Sequence, residues 1–362
     1  MRTCKLATGL AGALACAALT GSLSLAQTAR YKATAIPGIQ QQGFNYVFPA
    51  DINNHGVVVG ALERLPGFVP VRAFLWPGHG PTQDIGDLGV FEFAQAVGIN
   101  DANQVIGVAE VPDPRDPLGH SIHGFFWENG TMIDLPPLGS DDESHAIAIN
   151  ELGEVLVVSL DPTFSGRDRY YVWNRGRIDL LGRLNAYPGG LAGFASSMND
   201  RRHIVGSAIH ADGVERAFLW QDGQMIDLGL APGDDFFSVA NKITNGGTIV
   251  GESSAFDSHN GHGARSQGVV WQGATLVRTI APLAQGYILA PLGANESGTI
   301  VGFSGFPSDG VVSFGGPAID LNTTVLGLPQ NAHLYQGRDV NDVGQIVVDG
   351  QFGCCGYLLD PR

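Results

Sequence analysis

Three features of the sequence predict an all-β repeat fold. All five tryptophans, Trp76, Trp127, Trp173, Trp220 and Trp271, recur at intervals of 51, 46, 47 and 51 residues. A second mark recurs with them: an apolar residue, Asn, two variable residues, Gly, then a β-branched run ending in Gly. Its first instance is Ile52-Asn53-Asn54-His55-Gly56-Val57-Val58-Val59-Gly60. The stretches between marks divide into short apolar runs separated by turn residues, which is the pattern of short strands.

The chain opens with an expected export signal over residues 1–26. Arg2 and Lys5 precede an apolar run from Leu6 to Leu25, and Ser24-Leu25-Ala26 places small residues where a signal peptidase cuts. Removing this segment takes away two positive charges and no acid, so the formal charge moves from −15 to −17. A chain this acidic repels nucleic acid, and no later segment has the ~18 apolar residues needed to span a bilayer. Cys4 and Cys16 leave with the signal, and the remaining Cys354-Cys355 pair offers too few ligands for a zinc site.

The repeat begins after the signal. Its anchors are Asn53, Asn100, Asn150, Asn199, Thr244, Asn295 and Asn341, seven copies with a mean spacing of about 48 residues. Each copy predicts four strands. The first is small and apolar, as in Ala96-Val97-Gly98-Ile99. The Asn-x-x-Gly turn follows, with Asn bonding its own backbone and Gly taking a positive φ. Asn103 replaces that Gly in the second copy, the next best residue for a left-handed backbone. The second strand is β-branched, as in His203-Ile204-Val205-Gly206, and the third carries the large residue, as in Ala217-Phe218-Leu219-Trp220. The fourth has the form Met225-Ile226-Asp227-Leu228-Gly229.

Four strands in about 48 residues is the size of a propeller blade, and small first strands suit the crowded axis. The seventh copy stops at Arg362 without a fourth strand, while Tyr31-Lys32-Ala33-Thr34-Ala35-Ile36 resembles the missing one. Pairing the two would leave no free edge. The prediction is a seven-bladed β-propeller of four-stranded blades over residues 27–362, closed by its N-terminal strand. Phe314, and a residue near Tyr357 or Leu359, are expected to stand where the first five copies carry Trp.

The Asn-x-x-Gly-x-Val-Val-Gly, Ala-Phe-Leu-Trp and Asp-Leu-Gly elements resemble the probable extracellular repeat of the HAF family, from Tyr31 to Leu359. The resemblance implies export and a repeat fold, and no established activity. The His-Ala-Phe triplet of the family is changed here to Arg72-Ala73-Phe74, His123-Gly124-Phe125 and Arg216-Ala217-Phe218.

Few residues announce chemistry. The recurrent Asn and Asp fit turns and caps better than calcium loops, since each loop offers one or two oxygen side chains where calcium needs six to eight. His120 with His123, and His259 with His262, have metal-like spacing but lack a third ligand. There is no Gly-x-Ser-x-Gly elbow and no phosphate-cradling loop. No catalytic residue, cofactor or metal is expected.

The pattern breaks mainly in the loops between second and third strands and in the links between copies. Carboxylates stand beside aromatics there, the combination that binds sugar hydroxyls and the apolar face of a sugar ring. The candidate ligand-binding residues are Asp141, Asp142, Glu143, Tyr187, Asp234, Asp235, Phe236 and Phe237. The leading expectation is a secreted, extracellular or periplasmic monomer acting as a non-catalytic binding or adhesion module. Its partner would be a glycan or another cell-surface component at the loop-rich face. The alternatives are a polysaccharide hydrolase or lyase and a structural envelope protein.

Overall fold

The computed structural model describes residues 30–64, 71–89, 93–114, 119–161, 168–182, 184, 193–257, 263–284, 288–305, 307–350 and 355–362. The expected export signal, Tyr187, His259, His262 and Cys354 lie outside these residues. The described chain is all-β, with two single-turn 3-10 helices at Gln40–Gln42 and Leu321–Thr323. No described helix is long and apolar enough to cross a membrane.

Each copy of the repeat folds into an antiparallel sheet of sequential strands. The first comprises Tyr46–Ile52, Val58–Glu63, Val71–Trp76 and Gln83–Asp84; the second Ala94–Ile99, Val105–Pro112, His120–Glu128 and Thr131–Leu135. The third and sixth copies form separate four-stranded sheets in the same order. The fourth and fifth share one eight-stranded sheet, whose halves meet only where Glu215 pairs in parallel with Phe237. The last sheet runs Leu334–Val340, Ile346–Gly350, Gly356–Pro361, then Tyr31–Ala35 from the other end of the chain. A short strand, Val325–Leu326, adds in parallel outside it.

The hydrophobic core is divided among the spaces between sheets. Trp127 packs with Val57, Val59 and Ala73 of the preceding copy, and Trp173 with Ile106, Phe126 and Leu135. Trp76 packs with Val347 and Leu358, so the first sheet rests on the last. The indole of Trp271 donates to the Leu228 carbonyl of the copy before it at 3.2 Å. These rings fill the space between neighbouring sheets, and a buried aromatic of this size dominates such an interface. Trp220 is only half-buried.

Strand register corrects the expectation for the sixth copy. Trp76 pairs with Val58 and Trp271 with Ile249, and the equivalent of those partners, Ile300, faces Ser313. Phe314 falls one residue further on, where alternation along the strand turns it outward. It is 42 % exposed, with the Arg30 guanidinium 4.9 Å from its ring centre. In the seventh copy the wedge position is held by fully buried Leu359.

Candidate functional site

The Asn-x-x-Gly turns join one copy to the next. In Asn53 the side-chain Oδ1 accepts the N–H groups of His55 and Val57, as the turn pattern requires. Its Nδ2 then reaches the Asn100 carbonyl at 3.0 Å. Asn100 does the same to Asn150 at 3.1 Å, Asn150 to Asn199 at 3.4 Å, and Asn199 to Thr244 at 3.2 Å. Asn295 reaches Asn341 at 2.8 Å, and Asn341 reaches back to Asn53 at 2.9 Å. Thr244 has no amide to donate; Asn241 Nδ2 instead bonds the Pro291 carbonyl at 2.7 Å, linking the same two copies. The six anchor Asn side chains are buried, so each satisfied amide matters.

The residue after each anchor makes a second series. Asp101 accepts the Asn54 N–H, Glu151 that of Asp101, and Asp200 that of Glu151. Asn245 accepts from Asp200 and Asp342 from Glu296, while Glu296 accepts from Gly246, two residues after its anchor. The Asp342 N–H returns to Asn54 Oδ1. Five carboxylates and two amides therefore stand at the ends of the first strands.

Between them opens a cavity of about 290 Å³. Its wall comes from the last residues of the first strand of each copy, each of which carries a β-bulge three residues before its anchor. A bulge bends the strand and redirects its side chains. One position further on, two before the anchor, four copies carry Gly98, Ala148, Ser197 and Gly293, while the others carry Asp51, Lys242 and Asp339. These three charges meet in the cavity: Lys242 Nζ donates to Asp339 Oδ2 at 2.7 Å and lies 4.0 Å from Asp51 Oδ1. Gly293 makes the approach possible, because a Cβ there would sit 2.4 Å from Asp339 Oδ1.

The electrostatics are those of a crowded polar pocket. Burial pushes the Asp339 carboxyl well above the usual range against the pull of Lys242, and neighbouring Asp51 pushes it the same way. Burial works against the Lys242 ammonium, but Asp339, Asp51 and Glu151 together hold its proton more tightly than normal. Glu151 is raised by burial first, opposed by the Asp101 backbone bond, with repulsion from Asp101, Asp200 and Asp51 adding to it.

The described residues among those expected from the sequence, all but Tyr187, lie at the opposite end, where copies are linked. Asp141 is buried, paired with Arg169 at 2.8 Å and accepting from Ser159. Asp142 is exposed, and Glu143 stands 3.5 Å from His145. Asp234 accepts from Gln267, and Asp235 from the Phe256 N–H. Phe236 packs edge-on against Phe237 and lies 5.9 Å from Phe256. The structure thus brings Asp234, Asp235, Phe236 and Phe237 together on the fifth copy, and leaves Asp141, Asp142 and Glu143 apart on the third.

His120 and His123 lie on the third strand of their sheet. Three residues apart on a strand, they face opposite sides, towards Glu110 and Asp134 respectively. Among the described residues no group of His, Cys, Asp or Glu could hold a metal ion.

Asp51, Lys242 and Asp339 escaped the sequence reading. The available signal was the column two residues before the anchors, in which four copies carry a small residue and three a charge.

The chain matches no family model and no curated protein. Among solved structures it is similar to virginiamycin B lyase from Staphylococcus aureus, with 10% identity, a TM-score of 0.51, and coverage of 91% of this chain and 99% of that one. It is also similar to the β-propeller domain of the Trilobed protease from Pyrococcus furiosus, with 11% identity, a TM-score of 0.48, and coverage of 76% and 81%. Acylaminoacyl peptidase from Pyrococcus horikoshii follows at 13% identity and a TM-score of 0.49; the match covers 84% of this chain and half, 50%, of the peptidase. The likeness is one of fold. With its four-stranded antiparallel sheets in sequential order, the chain is an all-β protein of the β-propeller type.

Proposed function

We propose that this chain is an exported binding module of the HAF kind, with seven blades about one axis and its ligand in the axial cavity. Closure of the ring is supported by the Tyr31–Ala35 pairing with Gly356–Pro361 and by the Asn341 bond to the Asn53 carbonyl. The observation that carries the binding reading is the placement of Asp51, Lys242 and Asp339 at positions where the repeat otherwise specifies small side chains. A scaffold gains little from gathering three charges there, Asp339 buried and Asp51 and Lys242 half-buried, since an apolar replacement is often as stable. A rigid, polar, concave site gains orientation and specificity from them.

A thermal-shift panel of neutral sugars, amino sugars, uronic acids, amino acids and polyamines tests this reading. At least one compound should raise the melting temperature of the wild type and fail to do so for Lys242→Met. A panel without a single hit, or hits that survive Lys242→Met unchanged, would remove the axial site.

A second reading, a glycan bound at the link end, is favoured by the exposure of Phe236 and Phe256, at 45% and 59%. A glycan array on Phe256→Ala beside the wild type tests it: the reading requires binding that the substitution abolishes.

A further inference from the structure

Two phenylalanines at the link end of the fifth copy keep much of their surface in water: Phe236 is 45% exposed and Phe256 59%. Large rings left in water forgo the free energy of burial, and a group of them marks a surface that something else covers. The backbone fixes both. Gly233 takes a positive φ of 86°, and the Asp234 N–H closes the turn on the Ala231 carbonyl at 3.0 Å. The Phe236 N–H then bonds the Ser254 carbonyl at 2.9 Å, Phe237 pairs with Ser254, and Phe256 follows two residues later on that strand. Rings held in this way need no ordering when a ligand arrives.

Their geometry narrows the ligand. Phe236 lies 5.5 Å from half-buried Phe237, with 65° between the ring planes, and 5.9 Å from Phe256, with 59°. The rings form a corner rather than a platform. A sugar lays its flat face on one ring plane, and two planes inclined by 59° share none. A compact, roughly spherical group can touch both.

The charge beside the corner narrows it further. Asp235 Oδ1 accepts the Phe256 N–H at 3.0 Å, so this carboxylate stands against the backbone of one of the two rings. Asp234 Oδ2 accepts from Gln267 Nε2, also at 3.0 Å. Both donors are neutral: they fix the carboxylates and leave their charge in place. Among the described residues neither carboxylate forms an ion pair, and exposed Arg265, two residues before Gln267, is paired with neither. The face of an aromatic ring is the negative side of its quadrupole and attracts a cation. A quaternary ammonium is compact, carries no N–H that needs an acceptor, and leaves water readily, which suits a corner of bare rings beside a carboxylate.

We propose that Phe236 and Phe256, with Asp235 beside them, form a site for a quaternary ammonium cation such as choline. Two adjacent carboxylates repel a phosphate, so the occupant is a soluble cation rather than a phosphate-bearing lipid head group. The site is separate from the axial cavity, and its ligand differs in class from the glycan considered for the same end.

Isothermal titration of the protein with choline chloride at low ionic strength tests the assignment. The comparison compound is the uncharged isostere of choline, in which a tert-butyl group replaces the trimethylammonium. Choline should bind about tenfold more tightly than the isostere, as a cation against aromatic faces requires. Phe256→Leu keeps an apolar side chain without the ring and should weaken choline binding about tenfold. Asp235→Asn keeps the acceptor for the Phe256 N–H and should weaken it about threefold, the effect of one exposed charge. Both residues are exposed, and melting curves check that the variants are folded. Lys242→Met should leave choline binding unchanged. Equal binding of choline and the isostere would overturn the cation assignment. Binding that survives Phe256→Leu, or that is lost on Lys242→Met, would overturn the placement at these rings. Capture by phosphatidylcholine vesicles without binding of dissolved choline would overturn the soluble ligand. A glycan bound by the wild type and lost on Phe256→Leu, with no binding of choline, would overturn the cation site and leave the glycan reading standing. Failure of choline alone leaves the axial reading intact, since that reading is tested by its own compounds against Lys242→Met.

Discussion

The two ends of the sheets use the same residue types to opposite effect. At the link end, carboxylates are satisfied within their own copy or by its neighbour: Asp141 by Arg169 and Ser159, Asp234 by Gln267, Asp235 by the Phe256 N–H. At the turn end, carboxylates take backbone N–H groups from the preceding copy, and their charges accumulate around one cavity. Irregular sequence at the link end therefore yields local clasps, while the regular turn end concentrates unspent charge. In a repeat protein the informative residue is the one that departs from its own column, and Lys242 does so more sharply than any loop residue.

The largest expected effect falls on the packing that both ends share. Trp76 is 2% exposed and joins the first sheet to the last, so Trp76→Ala should cost ~3–5 kcal/mol in denaturant unfolding. Trp220 is half-buried, and the same change there should cost less. A loss at Trp76 no greater than at Trp220 would break the account of tryptophans as wedges between sheets.

The next effect separates the ends. Asn100 is buried, its Oδ1 accepts from Ala102 and Gln104, and its Nδ2 donates to Asn150. Asn100→Ala strands those partners and should cost about 1–3 kcal/mol. Asp142→Ala at the link end removes an exposed side chain and should stay within about 0.5 kcal/mol. Equal losses at the two sites, by chemical denaturation, would erase the distinction.

A smaller effect depends on pH. Arg202 adopts a positive φ of 57°, the position glycine takes in other copies, and reaches back to Glu154 at 2.6 Å and Asp179 at 3.1 Å. The Arg202 hydrogen bond holds the Glu154 carboxyl below its ordinary value. A depressed folded pKa stabilises above the unfolded value and loses that contribution as pH falls through the folded one. Arg202→Met should therefore cost about 2 kcal/mol near neutrality. The gap to the wild type should narrow as pH drops below ~4.3. A gap that stayed constant across that window would show the clasp to be irrelevant.

Much of this was legible in the sequence, for reasons that particular residues make clear. The Asn-x-x-Gly turns are local, and Asn103 does take the left-handed backbone, with a φ of 57°. The bond from Asn53 to a carbonyl 47 residues away is not local, and no turn rule contains it. Phe314 was misplaced because the sixth copy has no tryptophan to fix its register, and one residue is enough to turn a side chain outward. Arg202 stands in a turn position for which glycine is the default, and only its clasp to the preceding copy explains it. The cavity itself appears only in the folded chain, since Asp51, Lys242 and Asp339 lie in different copies and meet nowhere along the sequence.

The most direct test is titration of the tightest-binding compound of the panel into the wild type, Lys242→Met and Phe256→Ala. Placement of the ligand at the axis predicts a loss of about tenfold or more for Lys242→Met and an unchanged isotherm for Phe256→Ala. The reverse pattern, with affinity lost at Phe256 and retained at Lys242, would contradict it.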